Sequence, residues 1–113
     1  MTAEELRKRY NIPGAVLDVY ESQVRKVFEE SQTGKRSYDD QDLERIGRIM
    51  TLQEIGFMDE EIGTFFSLEK EGEITRERRL RMLGKRRSRL LDEIHQKEKL
   101  LGELDYLQYE LKG

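Results

Sequence analysis

The chain contains no cysteine, which excludes disulfides, cysteine-ligated zinc and thiolate-based metal sensing. Its single histidine, His95, lacks the partners a metal centre would need, so no metal is expected. Long apolar runs are missing too. None approaches the length of a membrane span and no signal peptide is visible, so a cytoplasmic chain with no membrane partner is expected. Phosphate-cradling glycine loops do not occur: Gly34, Gly56 and Gly72 stand as isolated turn glycines. Carboxylates are plentiful but fall on solvated helix faces rather than in pairs, so neither catalysis nor a bound cofactor is expected. Apolar residues make up 35% of the chain and charged residues 40%, too little apolar surface for a large monomeric core but a composition suited to long helices. With a net charge of −3, any affinity for nucleic acid has to come from local patches. Residues 1–50 are nearly neutral, 51–75 strongly acidic and 76–113 basic.

What is present is a proline-free stretch from Thr75 to Lys112. With Leu80 at heptad position a, the a positions read Leu80, Arg87, Ile94, Leu101 and Gln108. The d positions read Leu83, Leu90, Lys97, Leu104 and Leu111, and Leu91, Leu100 and Leu107 widen the stripe. This is a coiled-coil pattern of about four to five heptads. As one helix it would run roughly 55 Å, too long for a small domain to cover, so a partner is expected. From Arg76 to Leu91 the charges are basic except for Glu77, whereas Asp92 to Lys112 is mainly acidic. Parallel pairing would set the basic half against itself, and antiparallel pairing sets it against the acidic half. An antiparallel, two-fold symmetric homodimer is therefore expected, with Arg87, Lys97 and Gln108 costing stability in the seam but able to pin register.

Upstream, Thr2 is an N-cap candidate, with Glu4 and Glu5 at the positive end of the helix dipole. Ala3, Leu6 and Tyr10 are expected to face inward. Asn11-Ile-Pro-Gly14 breaks this helix, and Ala15 to Glu21 resumes with Val16, Val19 and Tyr20 at helical spacing. Helix, short turn and helix within about twenty residues is the shape of a helix-turn-helix. Val24, Val27 and Phe28 fit either a continued helix or a following strand. Ser31 to Gly34 reads as a turn, and Lys35-Arg-Ser-Tyr38 as one side of a hairpin wing. Asp39 should cap the next helix, whose apolar face is Leu43, Ile46, Ile49, Met50 and Leu52 and whose end is Gly56. Asp59-Glu-Glu61 starts another helix with Ile62, Phe65, Phe66 and Leu68 inside, and Lys70 to Glu73 is expected as a polar hinge into the long helix.

The run from Arg36 to Ile46, then Ile49-Met-Thr-Leu-Gln-Glu-Ile-Gly-Phe57, then Asp59-Glu-Glu-Ile62, resembles the MerR family of bacterial transcription regulators. So does Leu91-Asp-Glu-Ile-His-Gln-Lys-Glu-Lys-Leu100 followed by Leu104-Asp-Tyr-Leu107. The resemblance implies a mostly α fold: a winged helix-turn-helix over 1–70, a helix pair, and a long antiparallel dimerising coiled-coil helix over 75–112. It also implies a homodimer on promoter DNA that bends and untwists an overlong spacer, so that RNA polymerase can engage both elements. Tyr20-Glu21 matches the pair closing the family's recognition helix, and Arg36 and Tyr38 match the wing's Arg-x-Tyr, where the arginine faces the DNA backbone. Two departures stand out. Asp18 occupies a position where relatives usually carry a phosphate-binding arginine, and Gln23 to Phe28 replaces the usual Gly-Leu and prolines.

The expected DNA-binding residues are Ala15, Val16, Asp18, Val19 and Tyr20 entering the major groove, with Arg25, Lys26, Lys35 and Arg36 on the backbone and Tyr38 at the wing base. The expected dimer contacts are Leu80, Leu83, Leu90, Ile94, Leu101, Leu104 and Leu111. A second reading keeps the scaffold but binds protein, as a dimeric adaptor or antagonist, favoured by Asp18 and the acidic 51–75 segment. A third is an architectural DNA binder without polymerase activation.

Overall fold

A computed structural model describes residues 1–28 and 37–113. Among these, every regular element is helical: α1 (Ala3–Arg9), α2 (Gly14–Val19), a π-helical turn (Tyr20–Val24), α3 (Arg25–Phe28), α4 (Asp40–Glu54), α5 (Asp59–Glu71), a 3-10 turn (Glu73–Thr75) and α6 (Arg76–Lys112). The chain divides into two units, Met1–Arg79 and Leu80–Gly113.

Capping chemistry sets the helix ends. The Thr2 hydroxyl accepts from the Glu5 N–H at 3.2 Å while the Glu5 carboxylate accepts from the Thr2 N–H at 3.4 Å, a reciprocal box that fixes the start of α1. Leu6 is fully buried, but Tyr10 is 49% exposed, so the expected inner face of α1 narrows. The cause lies in the next residue: Asn11 adopts φ 56°, a left-handed conformation that turns the chain, and Ile12 takes the buried position instead. Pro13, at φ −62°, leads into α2.

From Gly14 to Phe28 the backbone is continuously helical, so no strand follows Val24. This helix packs on α4 and α5. Asp39 and Asp42 cap α4 as Thr2 and Glu5 cap α1, each accepting the other's N–H at 2.9 Å. At its far end Gly56 adopts φ 98°, the Gly56 N–H donates to Gln53 O and the Phe57 N–H donates to Leu52 O, both at 2.9 Å. That is the Schellman pattern, which needs the left-handed residue glycine supplies. Ile46 and Ile49 of α4 and Ile62 of α5 are fully buried, each contributing roughly 1.5–3 kcal/mol through removal from water. Phe57 and Phe65 meet edge to face at 6.0 Å, as do Phe28 and Phe66 at 6.1 Å. Arg48 and Glu69 tie α4 to α5 at 2.5 Å.

The expected hinge at Lys70–Glu73 is concentrated at one residue. Lys70 and Glu71 belong to α5, and the bend falls on Gly72 at φ 89°, ψ −152°, which glycine alone adopts readily. Thr75 is 2% exposed. Its hydroxyl lies 2.5 Å from Leu68 O and 2.8 Å from Gly72 O, and it accepts from Arg79 Nε at 3.1 Å. The first turn of α6 is thereby bonded into the first unit. In the second unit α6 buries no side chain: Leu80, Leu83, Leu90, Ile94, Leu101, Leu104 and Leu111 are all exposed. No described helix is long and apolar enough to cross a membrane.

Candidate functional site

The helix Gly14–Phe28 carries most of the residues expected to meet DNA, and its two faces differ sharply. Ala15, Asp18, Ser22 and Lys26 are exposed and follow one another at three- and four-residue spacing along the outer side. Val16, Val19 and Tyr20 point the other way and are buried in the core. The expectation that Ala15, Val16, Asp18, Val19 and Tyr20 would all enter a groove is corrected accordingly: only Ala15 and Asp18 of the five face outward. Hydrophobic periodicity had already marked Val16 and Val19 as apolar, and core packing has claimed them.

Arg25 requires a larger correction. It was expected on a phosphate, yet it is 8% exposed. The π-helical turn explains this. In a regular α-helix the residue five positions after Tyr20 points about 140° away from it. Here the Arg25 N–H bonds to Tyr20 O, and the wider turn brings residue 25 over residue 20. The guanidinium then lies 5.0 Å from the Tyr20 ring centre and 4.9 Å from that of Tyr38. Its Nε donates to Glu21 at 2.5 and 3.1 Å, and the Tyr38 hydroxyl donates to the same carboxylate at 2.9 Å. Tyr38 is itself buried. On the other side, the Tyr20 hydroxyl donates to Asp42, which lies 3.9 Å from Arg45, and Arg45 stacks 3.8 Å over the Phe28 ring.

This cluster joins the helix Gly14–Phe28 to α4 and to the strip of chain at Tyr38. Burial pushes the Tyr20 phenol well above its ordinary pKa, and the Asp42 acceptor adds to the effect. Tyr38 is raised for the same reason, burial first and then Glu21. Both phenols therefore act as fixed neutral donors. The group contains no nucleophile paired with a base, and its chemistry is that of a lock. Reciprocal backbone bonds between Met1 and Tyr38 hold the strip from the other side.

Lys26 is exposed, and Lys35 and Arg36 lie outside the described residues, as does most of the expected wing. Arg7 and Lys8 of α1 flank an open hollow of about 540 Å³ beside the turn Asn11–Gly14, shared with Glu4. The Arg7 guanidinium lies over Gly14, its carbon 3.7 Å from where a β-carbon would be, an ordinary contact distance. Among the described residues no three metal-ligating side chains gather.

Two contacts escaped the sequence altogether. Gly63 of α5 presses on the π-helical turn, so that a β-carbon there would lie 2.9 Å from Gln23 Oε1 and 3.2 Å from Gln23 O. Lys70 Nζ reaches back to cap Val27 O at 2.6 Å. Both join positions forty or more residues apart, which helical periodicity cannot link.

Compared with known families, residues 1–69 match a model described as MerR HTH family regulatory protein. No curated protein and no solved structure gives a match.

Proposed function

This chain belongs to the MerR family of helix-turn-helix regulatory proteins, and from that premise we propose that it is a sequence-specific transcription regulator that binds double-stranded promoter DNA as a homodimer. The observation that carries the reading is the helix Gly14–Phe28, locked on its inner side by Tyr20 and Arg25 and open on its outer side at Ala15, Asp18, Ser22 and Lys26. A rigid helix with one free face is what major-groove readout requires. Lys26, with Lys35 and Arg36 of the expected wing, would supply the backbone contacts. The seam on α6 would join two such domains so that they meet two half-sites, and RNA polymerase would respond to the resulting deformation of the promoter rather than to direct contact.

Asp18 makes the reading testable. A carboxylate on the groove-facing side repels phosphate, and arginine there should raise non-specific affinity and steepen its salt dependence. Selection from randomised duplexes, then titration of wild type and Asp18→Arg at two salt concentrations, is the experiment. Selective, salt-sensitive binding by the wild type is expected. Failure of both forms to bind any duplex would overturn the proposal and leave a protein-binding adaptor on the same scaffold.

A further inference from the structure

We infer that two copies of α6 pair antiparallel in one register, with Leu90 of each opposite Leu101 of the other and the two-fold axis between His95 and Gln96. The inference rests on the homodimer reading above and goes beyond it by fixing where the two helices meet.

The exposed stripe needs an occupant, and the charge division of the helix points to a second copy running the other way. Antiparallel pairing brings a positions against d positions, so only registers one heptad apart are allowed. In the proposed register Leu80 meets Leu111, Leu90 meets Leu101, and each polar seam residue meets an apolar one: Arg87 on Leu104, Lys97 on Ile94 and Gln108 on Leu83. Every seam position is paired. Long polar side chains opposite an apolar residue lay their stems along it and carry their heads to the rim.

The neighbouring registers fail on charge. Sliding one heptad toward the N-termini sets Arg87 against Lys97 inside the seam and Glu93 against Glu93 at its edge. Sliding one heptad the other way sets Glu98 against Glu98 and leaves Leu80 and Leu83 without a partner. Like charges directly opposed across an interface are costly. Further slips uncover most of the stripe at one end.

The surface of the helix agrees. Leu90, Glu93, Ile94, Lys97, Glu98 and Leu101 line one open, largely apolar stretch of α6. These fall into three couples, Leu90 with Leu101, Glu93 with Glu98 and Ile94 with Lys97, each centred between His95 and Gln96. A partner running the other way and presenting the same six residues would set each couple against its counterpart. The Lys97 ammoniums would then lie among Glu93 and Glu98 carboxylates of both copies, which accounts for a lysine at the centre of an apolar seam.

Because the full chain has no cysteine, introduced thiols report the register directly. Leu90→Cys and Leu101→Cys are purified separately, mixed, oxidised and run on a non-reducing gel. A disulfide-linked dimer is expected from the mixture and not from either protein alone, since Leu90 of one copy lies about 16 Å along the axis from Leu90 of the other. Leu91→Cys mixed with Glu98→Cys repeats the test at the rim, should a seam thiol weaken pairing. Self-linking of Glu93→Cys or of Glu98→Cys alone would overturn the register in favour of a shifted one. Self-linking of Leu90→Cys alone would mean parallel helices and overturn it as well, as would a wild-type dimer for which neither mixture links. Sedimentation of the wild type separates the two levels: a monomer at tens of micromolar refutes the homodimer reading itself, whereas a dimer with the wrong links refutes only the register.

Discussion

Replacing Arg25 with alanine separates a residue that holds the fold from one that holds DNA. The substitution removes the guanidinium from between two tyrosine rings, at 5.0 and 4.9 Å, each such contact contributing about 0.5–1 kcal/mol and more when desolvated. It also removes a charge-assisted bond to Glu21, about 1.5–3 kcal/mol for a bond to a charged group. Glu21 is 42% exposed, so water recovers part of that loss. The expected destabilisation is about 2–4 kcal/mol, read from urea unfolding followed by helical circular dichroism. Protein concentration must be matched, because self-association would make stability depend on it. Under conditions where the variant remains folded, the salt slope of DNA binding should be unchanged. A phosphate contact would behave in the opposite way, with stability within ~0.5 kcal/mol of wild type and a slope reduced by about 0.9. That result would refute the assignment of Arg25 to the interior.

Gly63→Ala should cost about 1–3 kcal/mol, because the Gln23 side chain can swing away from the new methyl but the Gln23 carbonyl, fixed in the π-helical turn, cannot; a neutral effect in urea unfolding would show that α5 can retreat. Thr75→Val should cost about 1–2 kcal/mol by deleting a buried hydroxyl that Arg79 Nε and two carbonyls share, and thermal unfolding no different from wild type would count against a bonded junction. In alkali, the folded state favours the neutral phenols of Tyr20 and Tyr38, so their stabilisation is complete below the ordinary tyrosine value of 10.0 and is lost as pH rises from there toward the folded value. Tyr20→Phe should flatten that decline in a pH series of unfolding midpoints.

Helix boundaries were legible because they rest on local chemistry. Thr2 and Asp39 cap neighbours within three residues, and Gly56 supplies a conformation that other residues resist. The long helix α6 was legible because its apolar residues recur at helical spacing with no proline to interrupt them. Arg25 was not, because a 3.6-residue period directs it outward beside Lys26, and nothing in the letters of Tyr20-Glu-Ser-Gln-Val24 announces a wider turn. Tyr20 and Asp42 are 22 positions apart, so their bond belongs to tertiary packing. Tyr10 was misplaced for a simpler reason: its spacing from Leu6 is helical, but the helix stops at Arg9.

The π-helical turn also bears on how the chain tolerates changes in length. A π turn is an α-helix carrying one residue more than its pitch needs. Deleting a residue from a packed helix normally rotates everything downstream off its face. Deleting the exposed Ser22 would instead tighten Tyr20–Arg25 to ordinary α pitch, leaving the guanidinium above the same ring and α3 on the same side of α5. The wider turn therefore gives this segment two permissible lengths, and relatives differing by one residue here could share an unshifted core.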